Sequence, residues 1–194
     1  FRAFDVRASE DGTSLFFPHF DYQGHLTGAK RKTPEAPPKE RYEWLGSSDK
    51  SGLFGHQLWK DKGNRRFITV TEGHEDALAC FQMFGGKFAV VSINNGASSA
   101  TKLTVDDIKF LKEFDEIVVC FDSDEPGRKA ASEFARSFSR TKVSIINLSL
   151  KDANEYLKAG KQKEFLDAWW KKKPYRPEAL VFSSETKDLV TQHD

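Results

Sequence analysis

From Arg66 onward, short continuous apolar runs alternate with stretches whose apolar residues recur every three or four positions. The runs Phe67–Thr71, Phe88–Ile93, Ile117–Phe121 and Lys142–Leu148 are rich in β-branched residues and bounded by polar or glycine-containing segments, which predicts buried strands. Between and after them, Glu75–Phe84, a segment near Val105–Phe114, Arg128–Phe138 and a last region reaching Trp170 carry one-sided apolar patterns, which predicts amphipathic helices. Four strands alternating with helices predict an α/β domain with an approximately four-stranded parallel sheet and right-handed crossovers. Ahead of it, Leu15–Phe20 reads as a strand and Asp21–Gly24 as a hairpin turn. The pattern then breaks: Gly28–Arg41 crowds Lys30, Arg31, Lys32, Lys39 and Arg41 around three prolines, which predicts a cationic loop. Tyr42–Trp59 supplies aromatic bulk to pack this small basic β-containing subdomain onto the next unit. The division that follows is 1–65 for the subdomain, 66–172 for the α/β domain and 173–194 for a departing linker.

Composition narrows the field only in places. At 194 residues the chain can bury a sizeable core, and its formal net charge of +1 argues neither for nor against a polyanionic partner. Cys80 and Cys120, both inside apolar sequence, are too few for a disulfide scaffold or a cysteine-rich zinc site, and they point to a reducing, cytosolic setting. No apolar run is long enough to span a bilayer, so no membrane partner is expected. The chain starts at Phe1 and reads as a piece of a longer protein.

The chemistry gathers where the strands end. Glu72, the pair Asp122 and Asp124, and Asp152 each follow a predicted strand at its carboxyl end, and parallel strands place those ends on one edge. Asp76 lies one helical turn beyond Glu72 and can face the same cluster. Any one of these carboxylates could be a helix cap, as Asp124 could be for the helix that follows it. So many like charges in one cleft would repel strongly without cations, and oxygen ligands suit Mg²⁺, which keeps several waters and combines carboxylates with substrate phosphates. The spacing Asp122, Asp124, Gly127, Glu133 partly matches an EF-hand loop, but Pro126 stands at a ligand position and a strand precedes it, so that reading is rejected.

The segments TEGHEDAL (71–78), NNGASSA (94–100), FDSDEPGRKAA (121–131) and KDANEYL (151–157) resemble the Toprim module shared by DnaG-type primases, topoisomerases and some nucleases. With GLFGHQLW (52–59) ahead of the first strand, the chain more narrowly resembles the primase half of phage primase-helicases related to mitochondrial Twinkle. The resemblance implies a Toprim fold and a DNA primase core that makes short RNA primers from NTPs on a single-stranded DNA template. It implies two Mg²⁺ ions, with Mn²⁺ as a substitute, held by Glu72, Asp122 and Asp124, with Glu72 the metal-binding glutamate or the general acid/base, and Asp76 and Asp152 as further acidic members. Lys30, Lys32 and Arg41 would contact nucleotide phosphate, and Arg128, near a helix N-terminus, could do the same. Zinc-binding and helicase domains of the full-length protein would be partners, since two cysteines and the lack of a GxxxxGK[ST] loop leave both out of this chain. The expected location is the host-cell cytoplasm rather than the virion. His74 reads as an exposed helix-start residue without a role.

Two other classes use the same acids. A Toprim nuclease would cleave phosphodiesters, but such proteins usually lack a basic aromatic subdomain ahead of the core. A degenerate Toprim module kept for assembly or DNA binding would not need acids at every motif. A topoisomerase needs a transesterifying tyrosine on a separate domain, and Tyr22, Tyr42, Tyr156 and Tyr175 have no such setting.

Overall fold

The structure is a computed structural model that describes residues 2–61, 64–94, 102–138 and 142–176. Two sheets organise it. The first is a four-stranded antiparallel meander in the order β1 (Arg7–Ala8), β2 (Leu15–Phe20), β3 (Leu26–Lys32), β4 (Tyr42–Gly46). The second is five-stranded. Its parallel strands are β5 (Phe67–Thr71), β6 (Ala89–Ser92), β7 (Glu116–Cys120) and β8 (Val143–Ile145), and a short antiparallel strand, β9 (Lys173–Pro174), completes the order β6-β5-β7-β8-β9.

The helices are α1 (His74–Met83), α2 (Val105–Lys112), α3 (Glu125–Arg136), α4 (Ala153–Lys158) and α5 (Gln162–Trp170). Both faces of the second sheet are covered, which is why its strands read as continuous apolar runs. Ile68, Val70, Val91, Ile117 and Val119 pack with Leu111, Phe114 and Phe134 on the α2–α3 face. Val90, Val118 and Cys120 pack with Ala77, Met83, Phe165 and Trp169 on the face of α1, α4 and α5. The chain passes from β5 outward to β6 and then back across to β7, so the topological switch point lies between β5 and β7. In open α/β sheets the crevice at that point, at the carboxyl ends of the strands, is where ligands bind.

Local signals set the helix ends. Thr104 and Asp107 form a reciprocal capping box on α2. Asp124 caps α3 by accepting from the Gly127 amide at 2.9 Å, and Pro126 sits in the first turn, where its missing N–H is harmless. The helix therefore starts at Glu125 rather than after the Pro-Gly pair. The last helical region is two helices, because Gly160 at φ +68° ends α4 before α5 begins.

Two expectations are corrected. The cationic segment is not a loop over its first part: Lys30, Arg31 and Lys32 lie on β3, an interior strand paired with both β2 and β4. All three prolines fall after β3, so they break the chain only where it turns toward β4. Nor does the α/β domain stop at Lys172. β9 pairs with β8, the Tyr175 amide donates to the Val143 carbonyl at 2.8 Å, and the Tyr175 side chain is buried. The rest of the expected linker, 177–194, and most of the small-residue loop at 95–101 lie outside the described residues.

The two sheets are joined tightly. Phe54 and Ser92 exchange backbone bonds of 3.0 and 3.1 Å, adding a bridge at the β6 edge, and the Trp59 indole donates to the Val90 carbonyl at 2.9 Å. Phe4 stacks on Phe54 in the joint, and Phe17 meets Phe54 edge to face. Among the described residues no helix is long and apolar enough to cross a membrane.

Candidate active site

At the switch point a cavity of about 320 Å³ opens between the two sheets. Glu72 enters it from the end of β5, Asp76 from the first turn of α1, Asp122 from the end of β7, and Asp152 from the cap of α4. Lys30 and Tyr42 reach in from the meander, and Phe17 and His74 line the wall between the sheets. With Glu75, also on the first turn of α1, five carboxylates from three separate stretches of the chain are thus brought together, because the ends of β5 and β7 and the start of α4 lie on the same edge.

Their mutual charge is felt. Burial pushes the Asp76 carboxyl up to about 7, helped by Asp152, Asp122 and Glu75 and opposed by the Asn154 amide, which donates to its Oδ1 at 3.0 Å. Burial likewise raises Asp122 to about 6, with Glu72 the next cause, while Lys151, 3.5 Å away, pulls it back. Such elevation in a cleft marks a site short of positive charge.

The cations sit opposite. On β3 the alternation of a strand turns Lys30 and Lys32 toward the site and Arg31 away, where it pairs with Glu43 at 2.6 Å. The Lys30 ammonium donates to the Asn94 carbonyl at 3.1 Å, and burial depresses its pKa against the attraction of Glu75. Lys32 pairs with Glu75. Both ammonium groups lie over the ring of Tyr42, at 5.0 and 5.7 Å from its centre.

Three candidate residues stand elsewhere. Asp124 does not line the cavity; one of its oxygens is used by the α3 cap, and it acts on Asp122 only as one of the smaller charges raising its pKa. Arg41 lies where the chain re-enters the meander, its carbonyl accepting from Thr33, away from the cavity lining. Arg128 folds back on the Ser123 carbonyl and faces the opposite side of the β7–α3 turn. His74 is the reverse case: it is buried, and its Nε2 is 2.7 Å from Nε2 of His19, with Phe17 and Phe54 packed around the pair. Tyr42, Lys151, Glu75 and Asn154 are site residues that sequence reasoning missed. The only signal for Tyr42 was its distance from the cations, and the β3–β4 register that sets it opposite Lys32 is a tertiary fact.

Among the described residues no group of three or more His, Cys, Asp or Glu side chains is already arranged to hold a metal ion. The donor chemistry nevertheless fits a hard divalent cation: the site offers carboxylate oxygens whose raised pKa values a cation would relieve, and Mg²⁺ needs only one or two of them, completing its shell with water and phosphate.

A Toprim-like family model matches residues 69–157, the span that contains every carboxylate lining the cavity. The chain is 35% identical over 172 residues to a DNA helicase/primase of enterobacteria phage T3, covering 89% of this chain and 29% of that protein. It superposes with a TM-score of 0.75 and 30% identity on a chain of a bacteriophage T7 assembly in which lagging-strand DNA polymerase interacts with primase domains bound to an RNA/DNA hybrid and dTTP, covering 88% of this chain and 83% of that one. The chain belongs to the Toprim primase family. The primase fragment of the phage T7 primase-helicase gives a TM-score of 0.73 at 30% identity, over 85% of this chain and 66% of that one. A Campylobacter jejuni DNA primase is 30% identical over 140 residues, covering 66% of this chain and 21% of that protein. This member of the Toprim primases thus spans less than a third of its curated relatives, and its Toprim core supplies every carboxylate of the cavity together with Lys151, while the meander supplies Lys30 opposite them.

Proposed function

We propose that this chain is the catalytic part of a DNA primase, joining ribonucleotides into short RNA primers on a single-stranded DNA template during phage DNA replication. The observation that carries the reading is the cavity itself: acids from the β5 end, the first turn of α1, the β7 end and the α4 cap face Lys30 of the meander across a space that suits a nucleoside triphosphate. Its relatives' names as primases and helicase/primases support it.

Glu72 and Asp122 would hold divalent metal as Mg²⁺ or Mn²⁺, two ions in the working site, with Asp124, outside the cavity lining at the cap of α3, as a further candidate ligand and Asp76 and Asp152 shaping the charge around them. Bound metal supplies the Lewis acidity that lowers the pKa of an attacking 3′-hydroxyl and neutralises phosphate charge. The chain's own groups do the rest. Lys30 and Lys32 take the triphosphate tail and offset charge on the departing pyrophosphate. Tyr42, half exposed at the mouth, offers a flat face to a base or ribose. The ion pair from Lys151 holds the Asp122 loop, which is also tied by the Ser123 amide to the Lys151 carbonyl at 2.7 Å. Arg41 and Arg128 take no part in binding the nucleotide in this reading. The template backbone lies across the groove between meander and Toprim sheet. The module works beside zinc-binding and helicase domains of a longer protein, in the cytoplasm of the host cell.

Incubating the chain with single-stranded DNA, NTPs and Mg²⁺ or Mn²⁺ tests this. Short RNA products that vanish in Asp122→Asn and Glu72→Gln support the reading. Degraded DNA without RNA synthesis would replace it with a Toprim nuclease, and incorporation unaffected by both substitutions would overturn a catalytic role for the cavity.

A further inference from the structure

On the far side of the β7–α3 turn a second cleft, of about 690 Å³, runs between α3 and the β8–β9 edge. Arg128, Ser132 and Arg136 recur every four residues and form one stripe along α3. Lys173 and Arg176 form the opposite wall and Asn147 lies between. Among the described residues, four cations and no carboxylate line this cleft, in a chain whose acids and bases otherwise nearly cancel. A concentration of one sign in a concave surface is the footprint of an anionic partner.

The cleft also leads somewhere. A smaller cavity of about 310 Å³ shares Arg128, Ser132 and Asn147 with it and shares Asp122 with the acidic cavity. A concave path therefore runs from the carboxylates, around the β7–α3 turn, and along α3. From Arg128 to Arg136 the stripe is about 12 Å long, enough for three or four stacked nucleotides at roughly 3.4 Å each and too long for one phosphate monoester. The aromatic of this cleft, Tyr175, is buried, so what is offered to a ligand is charge rather than a stacking face.

We propose that the α3–β9 cleft is a second polynucleotide-binding surface, which holds the phosphodiester backbone of a single strand, irrespective of its bases, as that strand passes to or from the acidic cavity. The choice of a nucleic-acid strand over another polyanion rests on the polymerase reading of that cavity; the binding itself does not.

The test is therefore run without metal or NTPs. Fluorescence anisotropy with labelled oligodeoxythymidylate and oligouridylate of equal length compares the original chain, Arg136→Ala with Lys173→Ala, and a charge-matched control, Lys109→Ala with Lys163→Ala, on exposed positions of α2 and α5. The cleft pair should bind roughly tenfold more weakly, and the slope of log affinity against log salt should fall by roughly 1.4, the value for two lost phosphate contacts on a single strand. The control should change little. Loss confined to DNA assigns the cleft to template, loss confined to RNA assigns it to product, and either supports the proposal. Unchanged binding of both, or an equal loss in the control, overturns it. Should the alanine pair fail to fold, Arg136→Gln with Lys173→Gln carries the same comparison. A cleft variant that binds weakly in a chain making no RNA would sink the polymerase reading alone; normal binding in a chain that makes primers would sink the cleft alone.

Discussion

Asp76 shows how much a side chain's behaviour depends on neighbours that its own sequence does not name. Its pKa, raised to about 7 from an ordinary 3.8, means that the ionised form is disfavoured in the folded chain. The stability that Asp76 allows is therefore complete below pH 3.8 and is lost as pH rises through 7. Asp76→Asn keeps the acceptor for the Asn154 amide. It should be more stable than the original by roughly 2–4 kcal/mol at pH 8, with the difference closing toward pH 4, in urea titrations. If the cavity polymerises nucleotides, the same variant should lose activity while gaining stability. The His19–His74 pair has the opposite sign. Burial lowers His19 to about 3 and His74 well below its ordinary 6.5, so both stay neutral when folded and stability is lost as pH falls from 6.5. Each adds a slope of roughly 1.4 kcal/mol per pH unit in that window. Replacing both partners with apolar groups can be nearly neutral. His19→Leu with His74→Leu should accordingly keep stability at pH 7 and flatten the loss between pH 6.5 and 4.5; an unchanged slope would show that the pair does not carry it. Glu72 and Asp122 were legible as strand-end acids because strand ends can be read from apolar runs. His74 was not, since its burial is made by β2, which arrives from more than fifty residues away.

At the scale of elements, the β7–α3 turn depends on Gly127. A Cβ there would collide with the Asp122 carbonyl oxygen and lie 2.8 Å from its carbonyl carbon, with backbone that cannot yield without moving Asp122. Gly127→Ala should destabilise the chain by about 1–3 kcal/mol in thermal melts and cut any metal-dependent activity at least tenfold, whereas Gly85→Ala, strained but in open space and remote from the cavity, should cost only stability. The meander makes a different point. Composition marked Gly28–Arg41 as a loop because its prolines and charges were weighed together, while the strand uses only the residues before the first proline. β3 tolerates three consecutive cations because alternation sends Lys30 and Lys32 to the acidic site and Arg31 to Glu43. If the cavity polymerises nucleotides as proposed, Lys30→Ala should raise the KM for NTP about tenfold with a smaller change in kcat, since Lys30 would then bind the triphosphate tail rather than assist bond making.

The whole molecule is held by two joints that local pattern hardly marks. One is the Phe54–Ser92 bridge between the sheets, where Gly55, at φ +86° and against Phe4, leaves no room for a side chain. The other is β9. Ending the chain after Lys172 should remove the β8 partner and expose the site of Tyr175, lowering Tm by about 5 °C, for roughly 2 kcal/mol of lost burial, relative to a chain ending after Arg176. Equal melting of the two would return β9 to the status of a linker. By itself the sequence determined the Toprim strands, their order and the acids at their ends, because buried parallel strands must be apolar throughout and must stop where charge begins. Tertiary structure alone decided which of those acids share a cavity, which cations face them, and that Asp124 spends one oxygen on a helix cap while Arg128 turns to another cleft. Those outcomes depend on pairing between distant strands and on how one sheet seats against another, and neither leaves a periodic mark along the chain.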